Sequence, residues 1–246
     1  NNLDEFYRVR VATLNRIEQV TQKYYEPTGL NPKKILKRIN EIVAVQQEKF
    51  ESIYEDILKS LGRHNIFLIN EKQLTKEQGE FVRKYFREVV LPTLVPIMIE
   101  TAPDFPYLKD KSIYFAIKLY KYSEKKKHKY ALVEIPTNVI SRFLILPKVL
   151  ENRYIILLDD IMRFCLPEVF SIFTFDKAEA YTIKLTRDAE LDIDNDLTKS
   201  ISEKISKSLK QRKKGKPVRL VYDSAIPPDL LHFITRKMKM FKSVNL

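Results

Sequence analysis

The chain has 246 residues, 44% of them hydrophobic, which suits one large domain or two smaller ones and excludes a disordered protein. It holds only 4 glycines and no GxGxxG or GxxxxGK(S/T) run, which excludes a dinucleotide fingerprint, a P-loop and a tight-turned all-β fold. A net charge of +12, from 44 Lys and Arg against 32 Asp and Glu, favours polyanionic partners, and no apolar run approaches the ~20 residues that span a bilayer.

Residues 3–24 read as an amphipathic helix, with Leu3, Phe6, Val9, Leu14, Ile17 and Val20 near one face. This helix opens at the first residues, without an initiator Met or a preceding turn, so the chain reads as cut from something larger. Pro27 and Gly29 break it, and Asn31 caps a second helix with Pro32 in its first turn. The expected buried stripe of that helix is Ile35, Ile39, Ile42, Phe50, Ile53, Ile57 and Leu61, with Gly62 as the stop. Two long helices joined by a short turn should pack as a hairpin. Residues 1–63 thus read as a helical N-terminal domain, incomplete at its start.

After Arg63 the texture changes. Thr75 to Gln78 forms a capping box that opens a helix to about Val90, closed by Pro92 and Pro96. Ile113, Phe115, Ile117 and Leu119 alternate with Tyr114, Ala116 and Lys118 as in a strand, and 130–135 reads as its partner across a lysine-rich tip. Short strands are expected near 143–146 and 154–158, a helix from Asp159-Asp160, a strand over 180–186, a helix over 197–212, a strand over 218–222 and a last helix near 229–239. Strands and helices interleave without a regular βα repeat. The expected fold is therefore multidomain, α and α+β: an N-terminal helical hairpin or bundle, then a mixed α/β head domain over 64–246 whose end is left open.

The residue chemistry is sparse. His64, His128 and His232 have no metal-ligand spacing and read as exposed or packing residues, so no catalytic residue and no metal ligand is assigned to this chain. Cys165 has no second cysteine to pair with and reads as a buried small hydrophobe. Asp192, Asp194 and Asp196 are followed by Leu197 where a calcium loop needs Gly, so the pattern fails although Glu203 stands at its twelfth position, and they read as acids before a helix. The basic runs 125–129 and 207–216 read as solvated turns, with an electrostatic funnel for a polyanion as the sharper option. Arg187 is either paired with Asp188 or faces phosphate, for which its planar fork is suited. Asn2 with Glu5 suits a capping box. Yet Phe6 and Val9 lie only about 40° and 20° around the helix from Asn2, and an amide beside an apolar ring is what an adenine edge and face need.

The run from Asn2 to Arg10 (Asn-Leu-Asp-Glu-Phe-Tyr-Arg-Val-Arg) resembles the signature near the start of bacterial polyphosphate kinases of the first, histidine-phosphorylating family. Further blocks keep family order along the chain: 66–71, 130–136, 142–143, 153–161, 180–181 with 186–190, and 217–222. The resemblance implies reversible transfer of the terminal phosphate of ATP to inorganic polyphosphate. It implies ATP or ADP as substrate, with Mg2+ and the phosphorylated histidine held by C-terminal catalytic domains outside this chain. It also implies a homodimer through the head domain and a cytoplasmic enzyme with room for peripheral association at the inner membrane face. Asn2 carries over as the family's ATP contact, Phe6 follows as its apolar neighbour, and no nucleic-acid partner is expected. The alternative is a basic nucleic-acid-binding module, which the +12 charge and the 13 Tyr and 14 Phe permit.

Overall fold

The computed structural model describes residues 2–21, 31–102, 104–124, 128–189, 215–238 and 240. The first helix is one rod in three stretches: α1 (Asn2–Phe6), a π-helical turn (Tyr7–Val11) and α2 (Ala12–Thr21). The residues at both joins, Phe6 and Ala12, keep helical backbone angles, so the rod is unbroken. A π turn admits one extra residue and shifts the phase of everything after it. The buried residues are Tyr7, Val11 and Ala12, with Leu3 and Leu14 packed beside them. The expected face through Phe6 is corrected on this point, because Phe6 is 39% exposed.

Helix α3 (Pro32–Gly62) begins as expected, with the Asn31 side chain accepting from the Lys34 amide and Pro32 in the first turn. The left-handed residue that ends the run is Asn65 (φ 58°) rather than Gly62, which stays helical. The stripe is also corrected. Leu36 and Val43 are buried and Ile39 packs beside them, whereas Ile42, Phe50, Ile53 and Ile57 are 45%, 65%, 51% and 51% exposed. Leu36, Ile39 and Val43 are the α3 positions that join the cluster with the first rod.

The head contains two sheets. One has the order β1 (Ile66–Ile69), β6 (Arg153–Leu157), β5 (Phe143–Ile145); β1 and β6 are parallel, β5 and β6 antiparallel. The other is antiparallel with the order β2 (Ile97–Met98), β4 (Lys129–Glu134), β3 (Ile113–Tyr120), β7 (Lys177–Arg187), β8 (Pro217–Tyr222). The expected pairing of 113–119 with 130–135 is realised, with Phe115 opposite Val133. Helix α4 (Lys76–Tyr85) opens on the full Thr75–Gln78 capping box. It runs into a π turn at Phe86–Val90, and Leu91–Thr93 closes it. Helices α5 (Leu158–Phe164), α6 (Leu166–Val169) and α7 (Pro228–Lys237) complete the described elements. Strands β1 and β2 are additions to the sequence reading. The helix expected over 197–212, the acids at 192, 194 and 196, the tip 125–127 and most of the basic run 207–216 lie outside the described residues.

The five-stranded sheet is covered on both faces, which explains why β3 is buried almost throughout rather than on alternate positions. On one face Phe115 and Ile117 meet Phe86, Ile161 and Phe170; on the other Tyr114 and Ala116 meet Leu108, Leu230 and Ile234. Phe86, Phe115 and Phe170 are fully enclosed, and burying each contributes roughly 1.5–3 kcal/mol. Cys165 is buried in the first of these cores, and burial pushes its thiol up to about 12, as suits an inert packing residue. Lys118, on the second face, is neutralised by Asp229 at 2.7 Å. A third cluster joins the first rod to α3 and to Val218 of β8, so the helical part rests on the sheet edge.

Candidate functional site

Four residues apart, Asp4 and Arg8 share a side of the first rod, and each meets the head. The Asp4 carboxylate receives Lys184 Nζ at 2.6 Å and lies 3.6 Å from an Arg219 guanidinium nitrogen. Thr186 donates to its second oxygen at 3.5 Å. These three groups converge for a structural reason. Lys184 and Thr186 are two apart on β7 and so share a face, and Thr186 stands opposite Arg219 of β8. Burial works against the Asp4 charge, but the Lys184 hydrogen bond and the charges of Lys184 and Arg219 outweigh it and hold the carboxyl below its ordinary range.

Next along the rod, Arg8 pairs with Asp110, and its backbone carbonyl accepts the Ala189 amide at 3.1 Å. Arg16 pairs with Asp188, the residue just beyond β7. The Arg219 guanidinium also lies 4.6 Å over the ring of Tyr7, inside the π turn. Burial raises the Tyr7 hydroxyl's pKa, with Arg219 partly offsetting it. A small cavity of ≈ 140 Å3 between rod and head is lined by Asp4, Glu5, Arg8, Asp110, Lys111, Lys184 and Thr186.

Asn2 opens α1 and is exposed. Phe6 sits one turn on, also exposed, with its ring edge-on to Tyr7 at 6.2 Å. Asn2 and Phe6 are thus both exposed and four residues apart in α1.

Arg187 is placed differently. A register shift between Thr186 and Arg187 re-aims its side chain. Its Nε donates to the Leu108 carbonyl at 3.0 Å, and a terminal nitrogen donates to the Gly215 carbonyl at 2.8 Å. The guanidinium lies 4.5 Å over Tyr107, and burial lowers its pKa. These bonds engage Nε and one terminal nitrogen of the fork that the sequence reading offered to phosphate and make Arg187 a brace between two backbone segments. The brace depends on Gly215, where an added Cβ would lie 2.2 Å from the Asp188 carbonyl oxygen. Asp188, the partner considered for Arg187, is engaged by Arg16 instead.

His64 and His232 are exposed, and His128 lies 5.0 Å from the Tyr120 ring, so the histidines stay apart from one another. Among the described residues no group of three or more His, Cys, Asp or Glu is placed to hold a metal ion. Among them, too, no helix is long and apolar enough to cross a membrane.

Sequence reasoning missed Asp4, Lys184, Arg219, Asp110 and the Arg16–Asp188 pair. A weak signal existed: Asp4, Arg8 and Arg16 fall at multiples of four along the first helix. Their partners lie 102 (Arg8 to Asp110) to 215 (Asp4 to Arg219) residues away, beyond the reach of any local pattern.

The profile of the polyphosphate kinase N-terminal domain matches residues 1–69, and that of the polyphosphate kinase middle domain matches residues 77–244. The polyphosphate kinase of Vibrio parahaemolyticus is 37% identical over 251 residues, taking in 100% of this chain and 35% of that protein. That of Escherichia coli K12 is 36% identical over 242 residues, 97% of this chain and 34% of that protein. A crystal structure of polyphosphate kinase from Porphyromonas gingivalis superposes with a TM-score of 0.77 at 27% identity, covering 100% of this chain and 33% of that one. The chain thus spans about a third of the length of the relatives it matches. These matches favour the kinase reading over a nucleic-acid-binding module, and with both domain profiles matched in order the chain belongs to the polyphosphate kinase family.

Proposed function

We propose that this chain supplies the N-terminal and middle domains of an enzyme that moves the terminal phosphate of ATP reversibly onto inorganic polyphosphate. The nucleophilic histidine and the Mg2+ belong to C-terminal catalytic domains of the same polypeptide. Here the Asn2 amide reads the adenine edge and the Phe6 ring covers its face. The net charge of +12 draws phosphate chains toward the surface, and the head domain pairs two copies in the cytoplasm, with peripheral contact at the inner membrane face.

The observation that carries this reading is the ordered match of both domain profiles, joined to an exposed Asn2–Phe6 pair on one side of the first helix. In the intact enzyme, Asn2→Ala should raise KM for ATP about three- to tenfold, the value of one hydrogen bond, with kcat largely kept. The thermal midpoint should move by no more than about 2 °C. A large loss of thermal stability with ATP affinity unchanged would make Asn2 a structural residue only.

A further inference from the structure

Asp4 stands two residues from both Asn2 and Phe6. At 100° per residue it points about 160° away from each of them. Its carboxylate faces the head and is engaged there by Lys184 and Arg219, while Asn2 and Phe6 are exposed. Asn2 and Phe6 flank Asp4 within α1. The ties at Arg8 and Arg16 lie further along the rod.

We infer that Asp4 is a positioning residue for nucleotide binding: clamped between Lys184 and Arg219, it fixes the rotation of the first helical turn so that Asn2 and Phe6 face outward together. The inference rests on the nucleotide contact proposed above. Asp4 does not touch nucleotide. Its removal leaves Lys184 and Arg219 without their shared anion and frees the turn to rotate. The loss should appear in ATP binding rather than in the chemical step.

The test uses the intact kinase carrying this chain. Asp4→Asn should raise KM for ATP about tenfold with kcat within about twofold. Asp4→Glu, which keeps the charge, should recover most of the loss. Because Asp4 acts through Asn2, the Asp4→Asn/Asn2→Ala double variant should be no worse than the worse single variant. Hydrogen exchange at the Ala189 amide, which donates to the Arg8 carbonyl, reports rod docking directly. It should quicken in Asp4→Asn and stay unchanged in Asn2→Ala.

An unchanged KM in Asp4→Asn overturns the inference, and so do losses that multiply in the double variant. A raised KM in Asp4→Asn beside an unchanged KM in Asn2→Ala overturns both the nucleotide contact at Asn2 and the positioning route through it. An unchanged KM in Asp4→Asn beside a raised KM in Asn2→Ala overturns the positioning role alone and leaves the nucleotide contact standing.

Discussion

The first rod and the far half of α3 are both amphipathic helices, and in sequence they look equally fit for burial. The rod is seated by Tyr7 and Val11 and by ion pairs from Asp4, Arg8 and Arg16 to the head. The far half of α3 shows Phe50, Ile53 and Ile57 to solvent. What separates them is not propensity or pattern but a facing surface. The rod meets β7 and β8, whereas Phe50, Ile53 and Ile57 of α3 are each more than half exposed. An apolar stripe predicts that a helix has a partner; it does not say whether that partner lies within the same chain.

The contrast can be tested by truncating one side chain in each helix. Tyr7→Ala removes a ring that is 3% exposed and lies beneath Arg219, and should lower the unfolding free energy by about 3 kcal/mol in urea denaturation. An intermediate effect comes from pH. The Asp4 carboxyl is held below its ordinary 3.8, so its contribution is fully present above that value and fades as pH falls through the lower folded-state value. The stability gap between wild type and Asp4→Asn at pH 6 should therefore narrow in acid below 3.8, followed by denaturation at each pH. The smallest effect is expected at Phe50→Ser, within about 0.5 kcal/mol of wild type despite the loss of a whole ring. A loss there as large as that of Tyr7→Ala would erase the contrast and mean that the far half of α3 is covered.

The sequence disclosed most of the local elements. The Asn31 cap, the Thr75–Gln78 capping box and the β3–β4 pairing are all encoded within a few residues of where they act. Strand β1 escaped because four apolar residues have no distinctive period, and its partner β6 is 87 positions away in register. The face of the first helix was misjudged at Phe6 because Leu3, Tyr7 and Val11, spaced four apart, form a competing apolar face. Asn2 was singled out through a short run of residues, whereas the exposure of Phe6 was not foreseen. Their seat was not legible, since Lys184, Thr186 and Arg219 gain meaning only when β7 and β8 pair. Arg187 carried a genuine phosphate-binding chemistry, yet the bulge beside it turned the fork toward two carbonyls.

The ion pairs between rod and sheet also limit how this protein can be recombined with its relatives. A crossover near residue 63 would carry Asp4, Arg8 and Arg16 into a foreign head and leave Lys184, Arg219, Asp110 and Asp188 behind. Such a chimera keeps its seat only if the foreign head presents matching bases and acids, or if the four head positions travel with the helix. The segment that can be inherited as a working module is therefore larger than the segment that a domain profile outlines.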